Sequence, residues 1–195
     1  MSYVHPTAEI DDDVEIGDNT RIWAHVHVRA GARIGAECSF GRNSFVDIGV
    51  SVGDRVKVQN NACLYEGVSL DDGVFVGPAV VFTNDKVPRA VTPGGRVKGT
   101  DDWTLGRTRV GAGAAIGANA VIVTGIEIGP WAMIGSGTVV TGDVPAHALV
   151  VGNPGRVVGW VSADGVRCES QQDARDRTAR EEATEQTATE AGGVS

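Results

Sequence analysis

The sequence predicts an all-β protein, a parallel β-helix of six-residue units with one extruded loop. Three observations lead there. An aliphatic residue or Phe recurs at every sixth position from Val4 to Phe82 and again from Val110 to Val140. Glycine is abundant, at 27 of 195 residues, while aromatics make up only 5%, which argues for a thin core of small side chains and against helices, where Gly is costly. The beat breaks once, between Phe82 and Val110, which lie 28 positions apart and so out of step with six.

Each six-residue unit has the same internal logic. A helix advances about 100° per residue, so a six-residue beat would smear apolar positions around its circumference. Strands separated by corners keep the beat on one side. Four residues after each apolar position comes a small or β-branched one, as in Ala8, Val14, Thr20, Val26, Ala32 and Cys38. The residue before it is Gly at 31, 49, 67, 73, 113, 125 and 137, and Asn or Asp at 13, 19, 43, 61, 119 and 143. Those types tolerate positive φ, so each marks a corner. Three units close one coil, and stacked coils satisfy each other's backbone groups at a spacing of about 4.8 Å. The twenty units predict about seven coils.

Composition bounds the partners. Net charge is −8, and between Ala163 and Ser195 eight acids meet four arginines, so the tail carries half of it. Nucleic acid is excluded as a partner on that balance. With no apolar segment at the N-terminus, the expected localisation is cytoplasmic. Cys38, Cys63 and Cys168 are odd in number and lack metal-ligand spacing, so reduced thiols are expected and no metal site. Residues 1–162 form the predicted β-helix domain, closed after Val140 by a capping segment. Residues 163–195 form a polar acidic tail, either disordered or a marginal helix around Asp173 to Glu190.

The interruption, over about residues 83–104, is the candidate site. Pro88, Pro93, Gly94, Gly95 and Gly99 suit an excursion from the prism, and a long loop on a rigid scaffold is a usual seat of function. Asn84, Asp85 and Arg89 stand where it leaves.

The repeat itself resembles the hexapeptide-repeat acyltransferases, and with them comes the expectation of a left-handed β-helix assembled as a homotrimer with sites between subunits. More narrowly, Val58-Gln59-Asn60-Asn61-Ala62, Tyr65-Glu66-Gly67-Val68, Gly77-Pro78, Phe82-Thr83-Asn84-Asp85 with Pro88-Arg89, and Gly159-Trp160-Val161-Ser162 resemble the nucleotide-sugar 3-N-acetyltransferases over about residues 3–162. The closing Val151-Gly152-Asn153-Pro154-Gly155-Arg156 is similar to that family's end segment, with Gly155 where Ala is usual.

The resemblance implies transfer of acetyl from acetyl-CoA to the 3-amino group of a UDP- or dTDP-linked amino sugar. An amine attacking a thioester must be neutral and aimed, and the carbonyl oxygen needs stabilising as charge develops. Asn84 is assigned by resemblance to orient the amine, with Asp85 as reserve base. Gln59, Asn60, Tyr65, Glu66 and Arg89 are candidate substrate contacts, and His27 is a further one unless it packs on a neighbouring subunit. Gly117, Ala118, Gly135 and Ser136 would line the strip for coenzyme A, with Arg156 at a phosphate. Two alternatives stay open: an O-acetyltransferase of the same fold, and a non-enzymatic or γ-carbonic-anhydrase-like β-helix. Arg89, Arg96, Lys98 and Arg107 are candidates to meet a sugar carboxylate, with plain surface charge the alternative for all four.

Overall fold

In the computed structural model, which describes residues 1–192, the chain winds into a three-faced prism of very short strands. Face A stacks eight parallel strands, from Tyr3–Val4 through Arg21–Ile22, Ser39–Phe40, Lys57–Val58, Phe75–Val76, Ala115–Ile116 and Met133–Ile134 to Ala148–Val151. Face B runs from Glu9–Ile10 to Val139–Val140, and face C from Glu15–Ile16 to Glu127–Ile128. Each strand pairs in parallel with the next on its face, eighteen residues ahead in most coils, as in Lys57↔Phe75 and His27↔Phe45, forty across the interruption, as in Phe75↔Ala115 and Val68↔Thr108, and sixteen at the last step, Met133↔Leu149. The core is the prism axis, filled by the second residue of each strand and the small residue after each corner; Phe40 and Phe82 are its largest fully buried members.

The corners explain why the repeat tolerates so many residue types. Asp13, Asn19, Asn43, Asn61 and Asn119 adopt left-handed φ near 58°, and so do His25, Glu37, Arg55, Ala79 and Trp131. For a residue with a Cβ that conformation costs about 1 to 2 kcal/mol. The compensation is a hydrogen bond between coils: the left-handed turn aims the N–H at the coil below, Glu37 N at Asp18 O (2.8 Å), Arg55 N at Ala36 O (2.8 Å), Trp131 N at Ala112 O (2.9 Å). Asp143 was expected to be a corner and is not. The final coil is shortened: Ile128 bridges Val144 without a left-handed turn before it, and the next corner comes at His147, stacked on the corner at Trp131, where its N–H meets Pro130 O at 2.9 Å.

The prism ends differ. At the start, Val4 and Ile10 occupy core positions yet are 41% and 36% exposed, because no coil lies beneath them. At the finish, Ala148–Val151 pairs antiparallel with Arg156–Val161, which pairs with Arg167–Cys168. Residue 163 falls in the turn of that last hairpin, and a helix follows over Gln171–Gly192. Its first turns dock on the hairpin: Ala174 and Thr178 are buried, Ala163 N donates to Thr178 Oγ1 (2.8 Å), and Ser162 Oγ donates to Glu181 Oε1 (3.0 Å). No described helix is long and apolar enough to cross a membrane.

The glycines that follow many strands let coils approach. A Cβ on Gly35 would lie 2.6 Å from the Gly53 carbonyl of the next coil. Gly35→Ala is therefore expected to cost about 1 to 3 kcal/mol by overpacking rigid backbone, read as a lowered thermal midpoint. An unchanged midpoint would contradict this account of the stacking.

Candidate active site

Two edges of the prism carry the candidate residues. Along the edge between faces A and B, backbone hydrogen bonds of 2.8 to 3.0 Å stack Trp23, Gly41, Gln59, Gly77, Gly117 and Gly135 in one column. Ala24, Arg42, Asn60, Pro78, Ala118 and Ser136 form the column beside it. In the upper part, Gly117, Gly135 and Ser136 line a groove of about 290 Å³ with Phe75, Met133 and Leu149. Arg156 pairs with Val151 at the top of this face, its Nη1 donating to Gly155 O at 2.8 Å. The structure thus gathers Gln59, Asn60, Gly117, Ala118, Gly135, Ser136 and Arg156 on one edge. Gly117 is required by the fold in any case, since a Cβ there would meet Ser136 N at 2.6 Å.

The edge between faces B and C carries the rest. His27, Phe45 and Tyr65 form a strip of edge-on rings with centroids 5.8 Å apart at each step, and His27 Nε2 lies 3.1 Å from Asp11 Oδ1. Asp47, 8% exposed, is the organising carboxylate at this edge. Its Oδ1 accepts from Arg29 Nη1 (2.9 Å) and Ile48 N (2.8 Å), and its Oδ2 accepts from Glu66 N (3.2 Å), which fixes the backbone of Glu66. Sequence reasoning missed Arg29 and Asp47; the signal was their spacing, since they fall eighteen residues apart in the column that leads to Tyr65 and Thr83.

Asn84 follows the face B strand Val81–Phe82. Its carbonyl accepts from Gly106 N at 2.9 Å, which closes the mouth of the loop, while its side-chain amide makes no hydrogen bond with any described residue. Asp85 Oδ1 accepts from Val87 N at 2.8 Å and so shapes the loop's exit. Asn84, Asp85 and Arg89 line a cavity of about 520 Å³ with Lys98, Thr100 and Trp103; Trp103 is a third residue that sequence reasoning passed over. A larger cavity of about 710 Å³, lined by Glu66, Leu105, Arg107 and Arg109 among others, lies under the loop's return on face C.

The loop is internally braced. Val91 bridges Val97, and Arg96 forks onto Asp102 with Nη1–Oδ2 at 2.8 Å and Nη2–Oδ1 at 2.6 Å. That pairing occupies the Arg96 guanidinium, so among the four candidates for a sugar carboxylate Arg96 is already committed. The Arg96 guanidinium, helped by the Gly99 N–H, holds the Asp102 carboxyl down at about 2.

Within one chain the two edges do not meet, because the width of face B separates them. Among the described residues no three His, Cys, Asp or Glu side chains converge as a metal set.

Against known proteins, the bacterial transferase hexapeptide (six repeats) pattern matches residues 13–47 and 107–142, and the hexapeptide repeat of succinyl-transferase pattern matches 31–66. A dTDP-3-amino-3,6-dideoxy-alpha-D-galactopyranose 3-N-acetyltransferase of Aneurinibacillus thermoaerophilus is 46% identical over 159 residues, 82% of this chain and 78% of that protein. Serine acetyltransferase of Escherichia coli is 37% identical over 123 residues, with 62% of this chain and 44% of that one covered. In fold, the chain is similar to a GDP-perosamine N-acetyltransferase of Caulobacter crescentus solved with CoA and GDP-perosamine, at TM-score 0.55 and 20% identity over 82% of this chain and 57% of that one. The stacked coils and repeats define a hexapeptide-repeat transferase. Within that class the chain belongs to the nucleotide-sugar 3-N-acetyltransferases.

Because the folded Asp102 carboxyl sits below its ordinary range, its support of the loop is present above that range and is lost as pH falls through about 2. An NMR titration is expected to place its midpoint near about 2, and Arg96→Gln is expected to return it toward roughly 3.9. An unmoved midpoint in that variant would remove Arg96 as the cause.

Proposed function

We propose that the protein transfers acetyl from acetyl-CoA to the 3-amino group of a UDP- or dTDP-linked amino sugar. The observation that carries this is the Asn84 amide: polar, unengaged, and held at the mouth of a braced loop by the Gly106–Asn84 backbone bond. Asn cannot take a proton, but its side-chain oxygen can accept from the attacking amine and aim the nitrogen lone pair. The lone pair forms the C–N bond while the thioester π electrons move onto oxygen. Collapse of that intermediate breaks the C–S bond, and the thiolate of coenzyme A takes the proton the nitrogen sheds. Asp85 is the reserve base; one of its oxygens is occupied by the Val87 amide.

Acetyl-CoA fits the upper A/B edge. Gly117, Ala118, Gly135 and Ser136 offer close backbone approach along a shallow groove, and Arg156 at its head suits a phosphate. Gln59, Asn60, Tyr65, Glu66, Arg89 and His27 remain the proposed acceptor contacts. Since the A/B edge and the B/C edge of one chain face different ways, a complete site needs the A/B edge of one subunit beside the B/C edge of another. Such a heterologous contact closes as a ring, and three-sided prisms close readily as a homotrimer. The setting we propose is the cytoplasm, where acetyl-CoA and nucleotide sugars are both at hand.

Thiol release from acetyl-CoA, measured with UDP- and dTDP-linked 3-amino sugars and their 3-hydroxy counterparts, is expected with an amino sugar alone. Release with the hydroxy sugar would favour O-acetylation instead. Asn84→Ala is expected to lower kcat by roughly a hundredfold or more, the scale of a lost orienting contact, while nucleotide affinity stays within about threefold. Wild-type turnover in Asn84→Ala would remove its role.

A further inference from the structure

The lower half of the A/B edge holds a second groove, of about 560 Å³, walled by Tyr3, His5, Trp23, Arg42, Gln59 and Asn60. Its floor is aromatic and open. Tyr3 and Trp23 are 45% and 43% exposed, with ring centroids 5.6 Å apart, and the Trp23 Nε1–H donates to Ser39 Oγ at 3.3 Å, which fixes the indole. Above it, the side chains of Arg42, Gln59 and Asn60 make no hydrogen bond or ion pair with any described residue.

We propose that this groove binds the nucleoside diphosphate end of the acceptor, with the pyrimidine base stacked on Trp23, the diphosphate met by Arg42 one coil up, and the Gln59 and Asn60 amides a further coil up, where the diphosphate joins the hexose. Each part suits its partner. An exposed, fixed aromatic face is a stacking platform for a base. Carboxamides carry both donor and acceptor, as sugar hydroxyls do. A guanidinium with no protein carboxylate to satisfy is available to a phosphate.

Height along the prism supports the assignment. Trp23 lies three coils below Gly77, about 14 Å at roughly 4.8 Å per coil, and Gly77 belongs to the coil that begins at Phe75 and reaches Asn84. A nucleotide-linked sugar rising from Trp23 would bring its hexose to that level. Acetyl-CoA descending from Arg156 past Gly135 and Gly117 would bring its thioester to the same level. The two arms would meet at the coil that carries the loop. This inference rests on the acetyl transfer proposed above, but its test needs no turnover.

Calorimetric titration of the intact protein with UDP, dTDP, the matching nucleosides and acetyl-CoA provides that test, with oligomeric state followed by light scattering. Wild type is expected to bind UDP or dTDP. Trp23→Ala should weaken the nucleotide roughly ten- to a hundredfold, as loss of a stacking face does, with acetyl-CoA affinity unchanged. Arg42→Gln should abolish most of the preference for the diphosphate over the bare nucleoside. Unchanged nucleotide affinity in both variants would overturn the proposal, as would a wild type that binds neither nucleotide. Loss of acetyl-CoA in place of nucleotide would assign the groove to the donor. Dissociation of the oligomer on Trp23→Ala would assign the aromatic pair to subunit contact, and either result would overturn the nucleotide site.

Discussion

Everything in this molecule depends on the hydrogen-bond ladder between coils. Strands of two residues have no stability of their own, and a pair of them alone would not persist in water. They persist because each coil offers the next a set of carbonyls, eighteen residues on at Tyr3↔Arg21 and Ile122↔Val140 and forty on where the loop intervenes, at Val81↔Val121. The ladder also decides what side chains may do. Inside, it leaves room only for aliphatics, Phe and small residues. At each corner it asks for a left-handed turn and rewards it with a bond to the coil below. Outside, it leaves the residue free only where the next coil does not press on it: Trp23 and Gln59 carry large side chains, while Gly41 and Gly77 in the same column have no room for a Cβ against the coil above.

The fold was legible because the ladder imposes that register on the sequence directly. The six-residue beat survives in nearly every coil, and the places where it misleads are those where the ladder itself changes. Asp143 has the chemistry of a corner, yet the last coil closes early to meet the capping hairpin, so the chain passes from face B to face C there without a left-handed turn and next makes one at His147. Val4 and Ile10 satisfy the core pattern but have no coil beneath them. Neither effect could be seen from residue types, since both arise from what is stacked on what.

For the candidate site the sequence offers residues, and the structure adds their arrangement. The resemblance singled out Asn84, Gln59 and Gly117, and the structure sets Asn84 on one edge of the prism and Gln59 and Gly117 on another. Edges are periodic in eighteen, not six, so two motifs close in sequence, Gln59-Asn60 and Tyr65-Glu66, come to lie on different edges. Asp47 was invisible because its contribution is a set of bonds: it joins Arg29 from the coil below to the backbone of Glu66 in the coil above. The loop's brace was hidden for the same reason, with Arg96 looking like a free cation until Asp102 was found across from it.

The loop leaves the prism after Phe82 and returns at Thr108, where Val68↔Thr108 restores the ladder as though nothing had been added. Its mouth is held by a single backbone bond, and its brace lies within its own residues. Such a segment behaves as an interchangeable cassette. Its length and chemistry can be rewritten without shifting any coil above or below, so a scaffold of this kind can vary what it presents at the loop while both edges of the prism keep their shape.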